Sequence, residues 1–153
     1  MAGRASVVAA VTVDRKPEEV FSYLADVSRH AEWSPKAWRA EGLTGGPLAV
    51  GSKWVSYGVI PGDPERRNDV EVTEYQAPSR LVFVSQDQKE GEFMSTFVLT
   101  PADGGTRVER TLDMPKPGGF MGLLFPVLKP TYLRPYLQKS MNLFKQRAEE
   151  QPA

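Results

Sequence analysis

The apolar positions of this chain change period three times. Ser6 to Asp14 (SVVAAVTVD) is a β-branched apolar run with the length of a strand. From Pro17 the period becomes helical, with Val20, Phe21, Leu24 and Val27 on one face. Pro17 suits a first helical turn, and Glu18 and Glu19 sit at the positive end of the helix dipole. Asp26 to His30 begins a second short helix, which Ser34-Pro35 ends because the residue before proline is pushed out of the α region. From Trp38 to Met114 short β-rich runs alternate with turn clusters. Strands are expected near 38–43, 50–59, 67–76, 80–87, 92–100 and 105–114. The breaks hold Gly, Pro or Asp: Gly45-Gly46-Pro47, Pro61-Gly62-Asp63-Pro64, Ala77-Pro78-Ser79, Lys89-Glu90-Gly91 and Ala102-Asp103-Gly104-Gly105. The last period is helical again. Leu133, Leu137, Met141, Phe144 and Ala148 form one apolar stripe, and no Gly or Pro interrupts 136–151. Upstream, Pro126, Pro130 and Pro135 are expected to kink or divide the helix.

The order β-α-α-β-β-β-β-β-β-α predicts an α+β fold. A curved antiparallel sheet would carry the terminal helix across its concave face. At 153 residues the chain is expected to be a single domain spanning 1–153. Composition then narrows the chemistry. Lys plus Arg and Asp plus Glu are 19 each, so the strongly basic footprint of a general nucleic-acid binder is missing. With no cysteine there is no disulfide framework or thiolate chemistry. His30 is the only histidine, so no His-rich metal site can form within one chain, and neither a metal nor another cofactor is expected. The apolar run Val7 to Val13 is too short to span a bilayer, and a cytoplasmic location is the expectation.

The first strand with PEEVFSYLADVSRHAEWSP (Pro17 to Pro35), the ADGGTRVERTLDM hairpin (Ala102 to Met114) and the long terminal helix together resemble the START-like (SRPBCC) superfamily. Within it the match is to the polyketide cyclase/dehydrase and lipid-transport group. The resemblance covers nearly the whole chain and carries no catalytic signature. It implies a helix-grip fold, in which a seven-stranded antiparallel sheet wraps the C-terminal helix around an internal apolar cavity. Members bind lipids, sterols, polyketides or plant hormones. Some are cyclases, some transporters or receptors, and one branch assists a chaperone, so the fold alone does not select a reaction.

Such a cavity, expected at roughly 300–1,000 Å³, needs a few polar groups to orient a ligand. Along 105–114 the more apolar face is Thr106, Val108, Arg110, Leu112 and Met114, which places Arg110 inward. An inward guanidinium must be paired or meet a polar ligand, so Arg110 is a candidate clamp for a carboxylate, phosphate or enolate; the alternative is an arginine at the sheet rim, paired to an acid or reaching solvent. The same alternation makes Phe97, Leu99, Leu81, Phe83, Val70 and Val72 cavity wall. In the strand near 50–59 the inward pair is either Trp54 with Ser56 or Val55 with Tyr57, and both Trp54 and Tyr57 stand as candidates. Phe120, Phe125, Tyr132 and Tyr136 precede or open the final helix, where it meets the cavity mouth.

His30 reads first as a surface histidine and second as a general base, and Trp33 as a packing anchor. Asp69 and Glu71 alternate against Val70 and Val72 and point outward, and Arg66-Arg67 reads as a solvated mixed-charge turn. Gly118, Gly119 and Gly122 frame an apolar gate, whose run over 118–128 is a candidate for transient contact with a membrane or for a homodimer. The leading function is binding of a small hydrophobic ligand, a lipid, polyketide or aromatic metabolite. The alternatives are a cyclase/dehydratase-type enzyme and an interaction module with a reduced cavity.

Overall fold

In a computed structural model describing residues 3–43, 47–60 and 63–152, seven antiparallel strands build one sheet in the order β1-β7-β6-β5-β4-β3-β2. β1 (Arg4–Val13) is followed by α1 (Pro17–Ala25) and a 3-10 helix (Val27–Trp33). Then come β2 (Trp38–Glu41), β3 (Lys53–Ile60), β4 (Asp63–Gln76), β5 (Arg80–Asp87), β6 (Gly91–Ala102) and β7 (Gly105–Pro115). The chain ends in α2 (Gly119–Leu128), a π turn (Lys129–Leu133) and α3 (Arg134–Glu149). This is the helix-grip α+β arrangement. The expected turn residues Gly45, Gly46, Pro61 and Gly62 lie outside the described residues.

Local chemistry explains most boundaries. Glu19 reaches back to accept the Lys16 N–H at 3.2 Å, capping α1 behind Pro17. The β6–β7 hairpin turns on Asp103 (φ 44°) and Gly104 (φ 79°), the two positive-φ positions of a tight two-residue loop. Two expectations are corrected. β4 begins at Asp63, not 67, because Ile60 pairs with Asp63 and the hairpin closes early. Arg66 is therefore a strand residue and is buried, not part of a solvated turn. The prolines also leave α2 and α3 joined through the π turn, where the Arg134 N–H donates to the Lys129 carbonyl. The wider turn makes room for the Pro135 ring, which a tight α-helix would drive into the carbonyl four residues back.

The inner face of the sheet is the core. Ala5, Val7, Ala9, Val11 and Val13 alternate inward on β1, and Phe97, Leu99 and Val108 do so on β6 and β7. Leu137, Met141, Phe144 and Ala148 of α3 bury against them, with Ser140 on the same face. Phe144 meets Tyr23 at 5.5 Å and Trp33 at 5.3 Å between ring centroids, closing one end of the interior. The edge strand β1 is covered rather than left open. Gln138 donates to the Ala10 carbonyl at 3.1 Å and Lys145 to the Thr12 carbonyl at 2.6 Å.

The other end is looser. α2 buries only Phe125, and Phe120 (71% exposed), Leu123 (79%) and Val127 (61%) face outward. Gly122 is there for close approach: a Cβ would stand 2.5 Å from the Pro117 carbonyl oxygen. Among the described residues, no helix is long and apolar enough to cross a membrane.

Candidate functional site

A cavity of about 260 Å³ remains between the sheet and α3, just below the size expected from the sequence. Its aromatic wall is Trp33, Trp38, Trp54, Phe83, Phe93 and Tyr136. Between these rings stand Ser56, Asn68, Ser85, Ser95 and Ser140, with His30 and Arg110. None of the lining residues is acidic.

Strand register settles which face looks inward. Trp54 lies opposite Val70, and Ser56 opposite Asn68, so this pair lines the cavity. Tyr57 pairs with Arg67 on the other face and holds the Arg39 guanidinium 4.2 Å from its ring centre, away from the cavity. Val108 and Phe97 are fully buried in the core rather than on the cavity surface, though Phe97 supports Arg110 from beneath. Phe120 projects outward and Tyr132 is half exposed, and neither lines this cavity. Phe83, Trp54, Tyr136 and Arg110 do.

Arg110 sits opposite Phe97 across β6 and β7. Its guanidinium carbon lies 5.2 Å from the Phe97 ring centre and 5.8 Å from that of Trp33. Among the described residues its one hydrogen bond is a long one, Nη1 donating to Ser140 Oγ at 3.4 Å, and Nε is buried without a partner. Burial pulls the group down to about 10, so it is still a cation at neutral pH. Two more buried N–H donors without partners, the indole Nε1 atoms of Trp33 and Trp54, belong to residues of the same wall. Among the described residues the site thus combines a cation and unpartnered N–H donors with neutral hydroxyl and amide groups, and with no carboxylate.

His30 corrects the surface reading. It is buried (6% exposed) within an aromatic box, 4.9 Å from Trp33 and 5.8 Å from Trp38 between ring centroids. Nε2 meets the Leu24 carbonyl at 2.7 Å, which assigns it the proton and leaves Nδ1 as the acceptor. Burial lowers its pKa to about 4, against the opposing effect of the Leu24 carbonyl and with the help of the Arg110 charge.

At the strand ends beyond Asn68 and Ser85 the inner face carries an ion-pair cluster that the sequence did not reveal. Arg66 Nε donates to both Asp87 oxygens, at 2.9 and 2.8 Å, and both side chains are 8% exposed. Asp63 and Glu90 add contacts to Arg66 at 3.4 and 3.6 Å. Burial pushes the Asp87 carboxyl up, but Arg66 and the Lys89 and Glu90 backbone N–H groups outweigh it and hold the pKa low. Asp69 and Glu71 face outward, as expected, against Arg67 and Lys53.

A family model described as polyketide cyclase / dehydrase and lipid transport matches residues 4–149. Among curated proteins no match is found. Solved structures share the fold. TTHA0849 from Thermus thermophilus is 20% identical, with TM-score 0.74 over 94% of this chain and 97% of that one. CV1439 from Chromobacterium violaceum is 14% identical, with TM-score 0.72 over 95% and 98%. DynU16, a protein of the dynemicin biosynthetic locus, is 20% identical with TM-score 0.66, and the match covers 95% of this chain and 47% of that one.

Proposed function

The chain belongs to the polyketide cyclase/dehydrase and lipid transport family, and from that premise we propose that it binds a small hydrophobic molecule whose acceptor end, a carboxylate or enolate oxygen, meets Arg110. The observation that carries this reading is the guanidinium at the cavity wall with no carboxylate among the described residues to neutralise it. An unpaired buried charge is costly, and a charge-assisted hydrogen bond to a ligand oxygen would offset that cost. The volume, some nine waters at about 30 Å³ each, suits a compact head group or ring system.

Binding is favoured over turnover. A cyclase needs a group to take a proton from carbon, and His30 is the one ordinary base in the wall. With its pKa lowered to about 4, it is a weak base at neutral pH.

The test has two parts. Molecules extracted from the purified protein are identified by mass spectrometry, with an amphiphile carrying an acidic or enolic oxygen as the expected class. Calorimetry then compares octanoate with 1-octanol on the native chain and on Arg110→Met. The native protein should prefer octanoate, and Arg110→Met should erase that preference, a loss on the order of 1.5–3 kcal/mol, with the fold intact. Equal affinities for acid and alcohol in the native protein would refute the clamp.

The outward face of α2 we assign to transient contact with an anionic lipid surface. Phe120, Leu123 and Val127 are exposed together, and the charges between Asp113 and Glu149 are all basic, Lys116, Lys129 and Arg134 among them. Flotation with phosphatidylcholine vesicles, with and without phosphatidylglycerol, checks this. Binding should require the anionic lipid and be lost in Leu123→Glu, whereas a concentration-dependent dimer that ignores vesicles would assign the face to a second copy.

A further inference from the structure

A second, larger cavity of about 810 Å³ lies under α2, between that helix and the end of β7. Met121, Phe125 and Leu128, three residues at helical spacing, form its roof, and Met114 and Pro115 its floor. Phe93 of β6 belongs to the walls of both this groove and the Arg110 cavity. On the helix side Tyr136 lines the inner cavity and Tyr132 the outer groove, and their rings stack at 6.4 Å between centroids. The two spaces are therefore neighbours across one thin partition. Their chemistry is opposite: the inner one offers N–H donors and a cation, the outer one mostly hydrocarbon. Its charged members are Glu90, which lies 3.6 Å from Arg66, and Lys116.

We infer that the outer groove is the binding site for the hydrocarbon tail of the same ligand whose acceptor end meets Arg110, so that the ligand class is an extended amphiphile such as an acyl carboxylate. This rests on the reading of Arg110 given above. Neither space suffices alone. The inner cavity is too small for a long chain, and among the described residues the outer groove has no buried side-chain donor without a partner to orient one. One extended molecule passing Phe93 and the Tyr132–Tyr136 stack satisfies both. The reverse orientation would set the carboxylate on Lys116, which is exposed, and leave the half-buried Arg110 guanidinium, whose Nε is buried without a partner, with no anion.

The experiment is calorimetry with straight-chain carboxylates from butanoate to hexadecanoate on the native protein and on four variants. In the native protein affinity should climb with chain length, by about fourfold for each methylene that enters the groove, and then level off. Met121→Glu and Leu128→Gln, each placing a polar group in the roof, should flatten that climb while leaving butanoate unchanged. Arg110→Met should weaken every chain length by a similar factor, and Lys116→Met should weaken none. No dependence on length in the native protein, or a climb untouched by both roof variants, overturns the tail site while leaving the Arg110 clamp standing. A selective loss in Lys116→Met overturns the orientation. Failure of every carboxylate to bind removes the clamp itself, and the tail site with it.

Discussion

Two arginines stand on the inner face of the same sheet and meet opposite fates. Arg66 of β4 has Asp87 within 2.9 Å and is flanked by Asp63 and Glu90. Arg110 of β7 has two aromatic faces, one distant hydroxyl and no carboxylate. The first is a satisfied structural pair that ties β4 to β5 at the ends of the strands. The second holds a charge with aromatic faces and a hydroxyl for company but no acid to neutralise it, at the wall of the cavity. The contrast separates stability from function: where the interior needs a cation for folding it supplies the anion, and where it supplies none a ligand is expected to bring one.

The largest effect expected from this contrast is at Asp87. Asp87→Ala leaves a buried guanidinium with only Asp63 and Glu90 nearby and should cost about 3–5 kcal/mol in denaturant unfolding. The double variant Arg66→Met with Asp87→Leu should recover most of that loss, because it removes both charges and keeps the volume. A small cost in the single variant would mean that Glu90 replaces Asp87, and would blur the distinction between the two arginines.

The next effect is set by pH. His30 shares the inner cavity with Arg110 and no acid, so its protonation would add a second cation there. The folded pKa, about 4, lies below the ordinary 6.5. The unfolded chain therefore binds more protons between these values. Stability from this group is complete above about pH 6.5 and falls as pH drops towards 4, by about 3 kcal/mol in all. Urea midpoints measured from pH 7 to pH 4 should show this slope. His30→Gln should remove it while keeping the contribution of Asp87, which is lost only at lower pH.

How much of this was legible in the chain depends on how far each feature reaches. The β5 strand falls at 80–87 as its apolar pattern predicts, and strand alternation alone turns Arg110 inward. Both are local properties of one strand. The Arg66–Asp87 pair was not legible, because its members are 21 positions apart and meet only once β4 and β5 are in register. The choice between Trp54 and Tyr57 was undecidable for a related reason: both faces of β3 carry an aromatic, and only pairing with Val70 and Asn68 distinguishes them. His30 was misread because a lone polar residue in a short helix carries no periodic signal, and its burial comes from Trp33, Trp38 and Phe83 closing around it.

Arg110 itself offers a smaller and opposite stability effect. Without ligand, Arg110→Met removes an unneutralised charge and keeps the stem volume, so unfolding stability should stay level or rise by about 1–2 kcal/mol. A marked loss would mean that the stacking on Phe97 and Trp33 is structural, and would move Arg110 to the same class as Arg66.

The smallest expected effect concerns the tyrosine pair, and it asks which of the two stacked rings belongs to the cavity. Tyr136 lines the space that holds Arg110, and burial raises its hydroxyl pKa, partly offset by the charges of Lys36 and Arg110. Tyr132 stands outside, with Lys36 Nζ 3.5 Å from its hydroxyl. A neutral hydroxyl donating to a ligand oxygen contributes about 0.5–1.5 kcal/mol. Tyr136→Phe should therefore weaken octanoate binding by that amount and add to the Arg110→Met loss only in part, since both donors serve one acceptor and neighbouring effects are not additive. Tyr132→Phe should leave octanoate binding unchanged. If Tyr132→Phe carries the loss instead, the acceptor end of the ligand lies in the outer groove, and Arg110 can no longer be what anchors it.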